Sequence, residues 1–514
     1  MGSLRTLCAA LALFSTLAMG AARAGQAPLA DLDTYVHGAM TQWKVPGLAV
    51  AVVKDGQVVV IRGYGVRELG KPERVDADTL FDIASNTKAF TAAALGTLVS
   101  AGKLQWDDPV VKYVPGFRLD SPYVTAEITL RDLLSHRSGY CDPGAMWYTS
   151  KDTAANLVAR LQYQQASFGF RARFCYDNVM YMVASLFVPA VTGESWNRYV
   201  ATTLFAPLGM KRTVSTAAAV AAASDVARPH GEVDGKVAVI EPYWSNNMDV
   251  FAAVGGINSS ANDMSHWLIM LLGDGRYQGR TVLDPAIIRS METPQSLVQR
   301  DSDLAGWLDT QTPDAQFYEY GLGLFMQDYG GHKVVWHAGD IDGMASSLAL
   351  VPDEHLGVLV LSNMNGNRAP EGVMFHVLQS YLGLPHRDVS AAIYAYTHKT
   401  SGSDALSRKM AAAHRTGANA ALPLEDYAGT YSDPFYGTAQ VGQEGGHLVL
   451  RFGNPMFVGD MQPWNGNTFR VRWRYRFYGE AYITFDIDAL GKPARLSIAQ
   501  SPAHYERAPP AKSQ

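Results

Sequence analysis

Ser85 and Lys88 stand three residues apart in the stretch Ser85-Asn86-Thr87-Lys88. On a helix, residues at that spacing share a face. Phe90, Ala93, Ala94 and Leu98 follow at helical spacing and Gly102 acts as a stop, so a helix is predicted over 86–101. A serine at its start lies where free N–H groups and the positive dipole end favour developing negative charge. A neighbouring lysine whose pKa is lowered by desolvation can take the serine proton. The pair is a candidate nucleophile and base; the competing reading is a helix-capping serine beside a solvated lysine. Alone the pattern is weak, since about one S-x-x-K is expected by chance at this Ser and Lys content. A second match, Ser100-Ala101-Gly102-Lys103, falls at the helix end, where no dipole assists it.

Later residues give the first match a context. Tyr176-Asp177-Asn178 follows it, and His337-Ala338-Gly339 follows on a segment that reads as an edge strand. A serine and lysine, then Tyr-x-Asn, then a cationic or hydrogen-bonding residue two before a strand glycine: this order is similar to the serine β-lactamase and penicillin-binding-protein superfamily. The same resemblance is carried by Leu133-Leu134-Ser135-His136-Arg137-Ser138-Gly139 and Leu204-Phe205-Ala206-Pro207-Leu208-Gly209-Met210. Gly255-Gly256-Ile257-Asn258-Ser259 with Asp263-Met264, and Tyr320-Gly321-Leu322-Gly323, extend it over roughly residues 30 to 385. The branch resembled is the class C β-lactamase-like group of peptidase S12 type, which also contains D-peptidases and esterases. Residues 423–514 resemble the lipocalin-like barrel appended to many peptidase-type members, through Tyr427-Ala428-Gly429-Thr430-Tyr431 and Leu448-Val449-Leu450-Arg451.

The resemblance implies a role for each residue. Ser85 is the nucleophile and Lys88 its partner. Tyr176 relays the serine proton and later activates water, with the division of base work between Lys88 and Tyr176 left open. Asn178 bonds Lys88 and the acyl amide of the substrate. His337 stands where penicillin-recognising branches hold a lysine, and would bind a substrate carboxylate or assist the leaving group, weakly because histidine is only partly charged near neutrality. The backbone N–H groups of Ser85 and Asp340 form the oxyanion hole. Gly339 lets the strand approach closely, and the Asp340 carboxylate must point away. From the residues alone, Cys141 and Cys175 are either one disulfide or two core thiols. In the family's fold both segments border the cleft, which implies a disulfide fixing the Tyr176 loop. The expected activity is acyl transfer on small or linear peptides or amides, of D-peptidase or carboxypeptidase type. β-Lactams and carboxylic esters are alternatives, and a catalytically silent penicillin-binding sensor is the alternative of another class.

These residues need elements to position them. Gly47 to Val53, the turn signal Asp55-Gly56 and Val58 to Val66 predict an opening hairpin. Residues 127 to 270 read as mostly helical, and strands return at Lys333 to His337, Ser346 to Val351 and Gly357 to Leu361. This predicts an α/β domain over 25–394. It resembles the β-lactamase/DD-peptidase type: an antiparallel sheet built from both chain ends, flanked by helices, plus a helical subdomain. A linker with a helix is expected over 395–422, and a small all-β barrel or sandwich over 423–514. Arg5, the apolar run Leu7 to Met19 and Ala22-Arg23-Ala24 have the layout of an export signal over 1–24, so a secreted or periplasmic protein is expected.

Composition excludes other classes. At 514 residues, 47% hydrophobic and 18% charged, the chain is not a disordered one. Three Cys cannot staple it, and a net charge of -5 gives no footprint for nucleic acid. No later apolar run reaches transmembrane length. The 13 His show no metal-motif spacing, so neither metal nor cofactor is expected. Lys399-Thr400-Ser401-Gly402 lies in the polar linker and is discounted. Tyr140, Trp147, Tyr148, Tyr243 and Trp244 fall on predicted loops, where they line a groove or simply pack.

Overall fold

The computed structural model describes residues 29–508 except 242–247, 401, 416, 418 and 500. The expected export signal at 1–24, and Tyr243 and Trp244, lie outside the described residues. Helix α1 (Leu32–Gln42) leads into the hairpin of β1 (Gly47–Lys54) and β2 (Gln57–Gly65). Asp55 and Gly56 both take positive φ, 53° and 72°, as a two-residue Asp-Gly hairpin turn requires. A 3-10 turn (Ala84–Asn86) then runs into α2 (Thr87–Ser100). Helices α3 (Asn178–Ser185) and α4 (Ala261–Leu272) belong to the helical middle. The later strands are β3 (Ser296–Leu297), β4 (Tyr318–Tyr320), β5 (Phe325–Tyr329), β6 (His332–Ile341), β7 (Met344–Val351) and β8 (Leu356–Ser362). Helices α5 (Ala369–Leu382) and α6 (Val389–Thr400) follow.

The eight strands form one antiparallel sheet in the order β2-β1-β8-β7-β6-β5-β4-β3. β1 pairs with β8, Val50 opposite Val360, so the two ends of this unit share one sheet. Strand β6, carrying His337, is interior and not the edge strand expected. The short strands β5, β4 and β3 pair outside it, and they are too brief to display an alternation in sequence.

Both faces of the sheet are covered. Along β1, Leu48, Val50 and Val52 join a layer with α1, α5 and α6, while Ala49, Ala51 and Val53 join one with α2 and α4. A strand buried on both faces reads as an unbroken apolar run, and β1 does. α2 is buried almost all round, with small Ala92, Ala93 and Ala94 permitting close approach and Phe90 stacked on Trp267 of α4 at 3.9 Å. That burial also withdraws Lys88 from water.

The expected linker holds the end of α6 and a second helix, Gly402–Ala413. α6 buries Val389 and Ile393 against the sheet layer, so it begins as part of the first unit. Strands β9 (Gly429–Asp433), β10 (Gly437–Glu444), β11 (His447–Arg451), β12 (Val458–Asn465), β13 (Thr468–Trp473), β14 (Glu480–Ile487), β15 (Pro493–Ile498) and β16 (His504–Arg507) follow. They close an antiparallel barrel in sequence order. Tyr431, Phe469, Phe485 and Tyr505 fill its interior. A small barrel filled by its own side chains is a packed core, not a ligand cup. Phe435, between β9 and β10, is buried in the core of the first unit, and Arg476 pairs with Asp234 at 2.7 Å. No described helix is long and apolar enough to cross a membrane.

Candidate active site

Ser85 sits in the 3-10 turn that leads into α2. Ala84 before it holds φ +47°, a conformation costly for any residue with a side chain. The turn is braced: the Ala84 N–H donates to Asp82 Oδ1 (2.7 Å), Ser346 Oγ donates to the Ile83 carbonyl (2.7 Å), and Asn86 Nδ2 donates to Ser346 Oγ (2.8 Å). Burial pushes the Asp82 carboxyl up to about 8. Gly339 lies directly against this turn. A Cβ there would stand 2.4 Å from the Ile83 carbonyl oxygen and 2.5 Å from Ser346 Oγ. The glycine is required so that β6 can touch the turn carrying Ser85.

Lys88 Nζ lies 3.0 Å from Ser85 Oγ, 2.8 Å from Asn178 Oδ1 and 3.1 Å from the Val254 carbonyl. Three acceptors suit an ammonium, and an amine can instead accept from Ser85. Its side chain is fully buried, and desolvation lowers its pKa to about 7, with Asp142 and Asp177 pulling it back upward.

Asn178 opens α3 behind the capping Asp177, whose carboxylate accepts from the Val179 N–H at 2.8 Å. Its Nδ2 donates to Asp142 Oδ2 at 2.5 Å. Asp142 also accepts from Trp147 Nε1 (2.9 Å) and the Gly144 N–H (3.1 Å). It thereby sets which end of the Asn178 amide faces Lys88. Sequence reasoning missed Asp142, whose one signal was its place after Cys141. The structure joins Cys141 to Cys175 by a disulfide, with Cα atoms 5.1 Å apart. Beside it the Asp142 N–H donates to the Tyr176 carbonyl (3.0 Å) and the Cys175 N–H to the His136 carbonyl (2.8 Å).

The Tyr176 ring lies 4.8 Å from Lys88 Nζ and 4.3 Å from the His136 ring. Its buried hydroxyl faces Ser85 without a well-formed hydrogen bond. Burial holds the phenol far above its ordinary range. Burial therefore favours the neutral phenol of Tyr176 over the phenolate.

His337 departs from the expectation. It is 2% exposed, its Nδ1 lies 2.6 Å from the Ala338 carbonyl, and its Nε2 lies 3.2 Å from Tyr320 Oη. Burial, reinforced by the Lys88 charge, drives its pKa down to about 3. A neutral imidazole bonded at both nitrogens is no anchor for a carboxylate. Because β6 is interior, Tyr320 and Phe325 cover the ring and exclude the water that would stabilise an imidazolium. Asp340 does turn away from Ser85: Arg368 Nη2 holds its carboxylate at 2.9 Å, and Arg368 Nη1 also reaches Glu371 Oε1 at 3.3 Å.

A cavity of about 90 Å³ opens on Ser85 and Asn178, walled by Trp147, Tyr148, Phe251 and Val254. Among the described residues, no cationic side chain lines it. Trp147 and Tyr148 form a short helix, Ala145–Tyr148, and do line the groove, whereas Tyr140 is buried packing. The Tyr148 hydroxyl donates to Asp342 Oδ1, and the Tyr478 hydroxyl, from the turn between β13 and β14, donates to Asp342 Oδ2 at 2.9 Å. The barrel thus braces one wall of the cavity through the Asp342 carboxylate that both tyrosines share, and through Asn454, whose Nδ2 donates to the Tyr148 carbonyl at 2.8 Å. No spacing signal links residues 148, 342 and 478. The discounted motif at Ser100 is a surface feature, its Oγ bonded to Asp284 at 2.8 Å.

Comparison with known proteins agrees with this layout. The β-lactamase family model matches residues 32–381, and the chain belongs to that family. A domain of unknown function, DUF3471, matches residues 413–508. The unguisins hydrolase ungD of Aspergillus violaceofuscus is 29% identical over 443 residues, spanning 80% of this chain and 76% of the relative. Protein flp of Staphylococcus aureus is 28% identical over 348 residues, 66% of this chain and 64% of that protein. Among solved structures, the octameric penicillin-binding protein homologue from Pyrococcus abyssi superposes with a TM-score of 0.61 at 22% identity, covering 92% of this chain and 99% of its own. SurE, with a TM-score of 0.54 to 0.55 at 19% identity, covers 94% of this chain and 99% of its own, and was also solved with D-Leu. At these identities the structures speak for the fold alone.

Proposed function

We propose that the chain is an exported serine hydrolase that forms an acyl-enzyme on Ser85 and cleaves peptide or amide bonds of small substrates. The observation that carries this reading is Lys88, buried without an ion pair and within hydrogen-bond reach of both Ser85 and Asn178. Near pH 7 a large fraction of it is an amine. That amine takes the Ser85 proton as Oγ attacks the acyl carbon. The oxyanion forms at the Ser85 and Asp340 N–H groups. Tyr176 gives its proton to the leaving nitrogen and is refilled from the Lys88 ammonium. The C–N bond breaks and the amine departs. Water then attacks the acyl carbon, its proton passes through the same pair to Ser85 Oγ as the Oγ–acyl bond breaks, and the acid is released.

The cavity narrows the substrate class. Its walls of Trp147, Tyr148, Phe251 and Val254 suit a small apolar acyl group. With His337 neutral, and with no cationic side chain among the described residues that line the cavity, the reading favours amide-capped or internal bonds over penicillins and free carboxy-terminal residues. D-configured residues belong in the substrate panel because SurE was solved with D-Leu. The disulfide is in keeping with an oxidising compartment.

Intact-mass analysis after fluorophosphonate treatment tests the nucleophile: one adduct on the native chain and none on Ser85→Ala is expected. Absence of a Ser85-dependent adduct with either fluorophosphonate or penicillin ends the reading. A rate panel of amide-capped and free-acid D- and L-peptides, a nitrophenyl ester and a cephalosporin then ranks the substrates, with capped peptides expected fastest.

A further inference from the structure

We propose that Asp31, His376 and His386 form a site for a divalent zinc-type ion, in the sheet layer opposite the one that holds α2. One donor atom from each of the three lies within 4.8 Å of the others. The sequence holds no metal motif because the ligands come from distant places. Asp31 caps α1, His376 lies on α5, and His386 lies in the connection from α5 to α6.

The geometry between the first two is already that of a coordination edge. Asp31 Oδ1 and His376 Nε2 are 3.1 Å apart. Two ligands held at zinc distances in a tetrahedron are separated by about 3.3 Å. The His386 ring stands 4.8 Å from the His376 ring, centroid to centroid, and is exposed, so a rotation of its own side chain closes the third edge. A water completes the set.

Two observations separate this cluster from a chance surface pair. An N-cap aspartate ordinarily accepts from the first free N–H groups of its helix. Asp31 makes no such bond, and its carboxylate is turned to His376 instead. The His376 ring is held in place, buried and stacked on Tyr35 at 4.0 Å and 11°, while the Tyr35 hydroxyl is fixed to Asp388 Oδ1 at 3.1 Å. A hydrogen-bonded pair accounts for Asp31 and His376 but not for the approach of a second imidazole. Two imidazoles and one carboxylate are a donor set for zinc and its transition-metal neighbours, not for calcium or magnesium. The ion would clip α1 to α5 and to the start of α6, and so stabilise the native chain.

The test uses the untagged full-length chain, stripped with a chelator and titrated with ZnCl2 by calorimetry, with thermal melts and a Co2+ visible spectrum alongside. One ion per chain, a raised Tm and the intense visible bands of low-coordinate Co2+ are expected. His386→Ala, on an exposed loop, and Asp31→Asn should each weaken binding about tenfold or more, and Ser85 labelling by fluorophosphonate should be unchanged in both. No stoichiometric binding overturns the proposal. So does binding of equal strength in His386→Ala, which would put the ion on other histidines.

Discussion

Lys88 is fully buried and Arg368 half-buried, and the two places treat the charge in opposite ways. Lys88 meets three neutral acceptors, and among the described residues no carboxylate lies within ion-pair reach of its Nζ. Neutral partners satisfy its geometry without offsetting desolvation, so its pKa falls to about 7. Arg368 lies between the Asp340 and Glu371 carboxylates, and its guanidinium is held still further above its ordinary range, the two acids outweighing burial. One site lowers the pKa of its cation and the other fixes a strand. The difference lies in the partners, together with the choice of a side chain that can deprotonate for the first and one that cannot for the second.

Removing the base is the largest expected break. Lys88→Met should slow Ser85 acylation by about 10²–10⁴-fold, read as the rate of fluorophosphonate labelling. In the native chain that rate should rise with pH through about 7, as the ammonium loses its proton. Stability carries the same signature. The folded pKa of Lys88 lies below its unfolded value near 10.5, so between these the unfolded chain binds more protons and stability rises with pH. Lys88→Met should lack that part of the rise in denaturant melts taken from pH 7 to 10. An unchanged slope would mean the amine is hydrated.

Arg368→Met tests the compensated site. It leaves Glu371, 1% exposed, beside Asp340 with no cation. With Asp340 partly exposed, the expected cost is about 2–3 kcal/mol, read as a lower urea midpoint, and Glu371→Leu in the same chain should recover part of it. Asp142→Asn makes the contrast sharper. It keeps an acceptor for Asn178 but removes a carboxylate that raises the Lys88 pKa, so the rising limb of the acylation profile should move to lower pH. A limb that stays put would leave Asp142 a purely geometric role. Tyr478→Phe should have the smallest effect, about 1 kcal/mol for one hydrogen bond to Asp342, with KM raised and kcat nearly constant. Equal loss of both would mean the barrel acts on more than the cavity wall.

Much of this is legible in the sequence. Asp55-Gly56 declared its hairpin, and the apolar runs at both chain ends declared a shared sheet, because turn chemistry and periodicity are local properties. Ser85, Lys88, Tyr176 and Asn178 were legible through residue type, order and resemblance, and the structure brings them together. The charge of His337 was not legible, because whether an imidazole is charged depends on what covers it, and its cover of Tyr320 and Phe325 comes from β4 and β5, strands too short to read. Asp142, Asp342 and Tyr478 were missed because each acts through a partner distant in sequence or unmarked by any motif.

The sequence by itself determined the class of chemistry, the sheet fed from both ends and the appended β unit. These rest on residue type and local spacing. Only the tertiary structure decided that burial lowers the pKa of Lys88 and of His337, that Asp340 is turned to Arg368 and that Asp31 meets two histidines. A pKa and a ligand set are properties of everything that surrounds a group, and those surroundings are assembled from segments far apart in the chain.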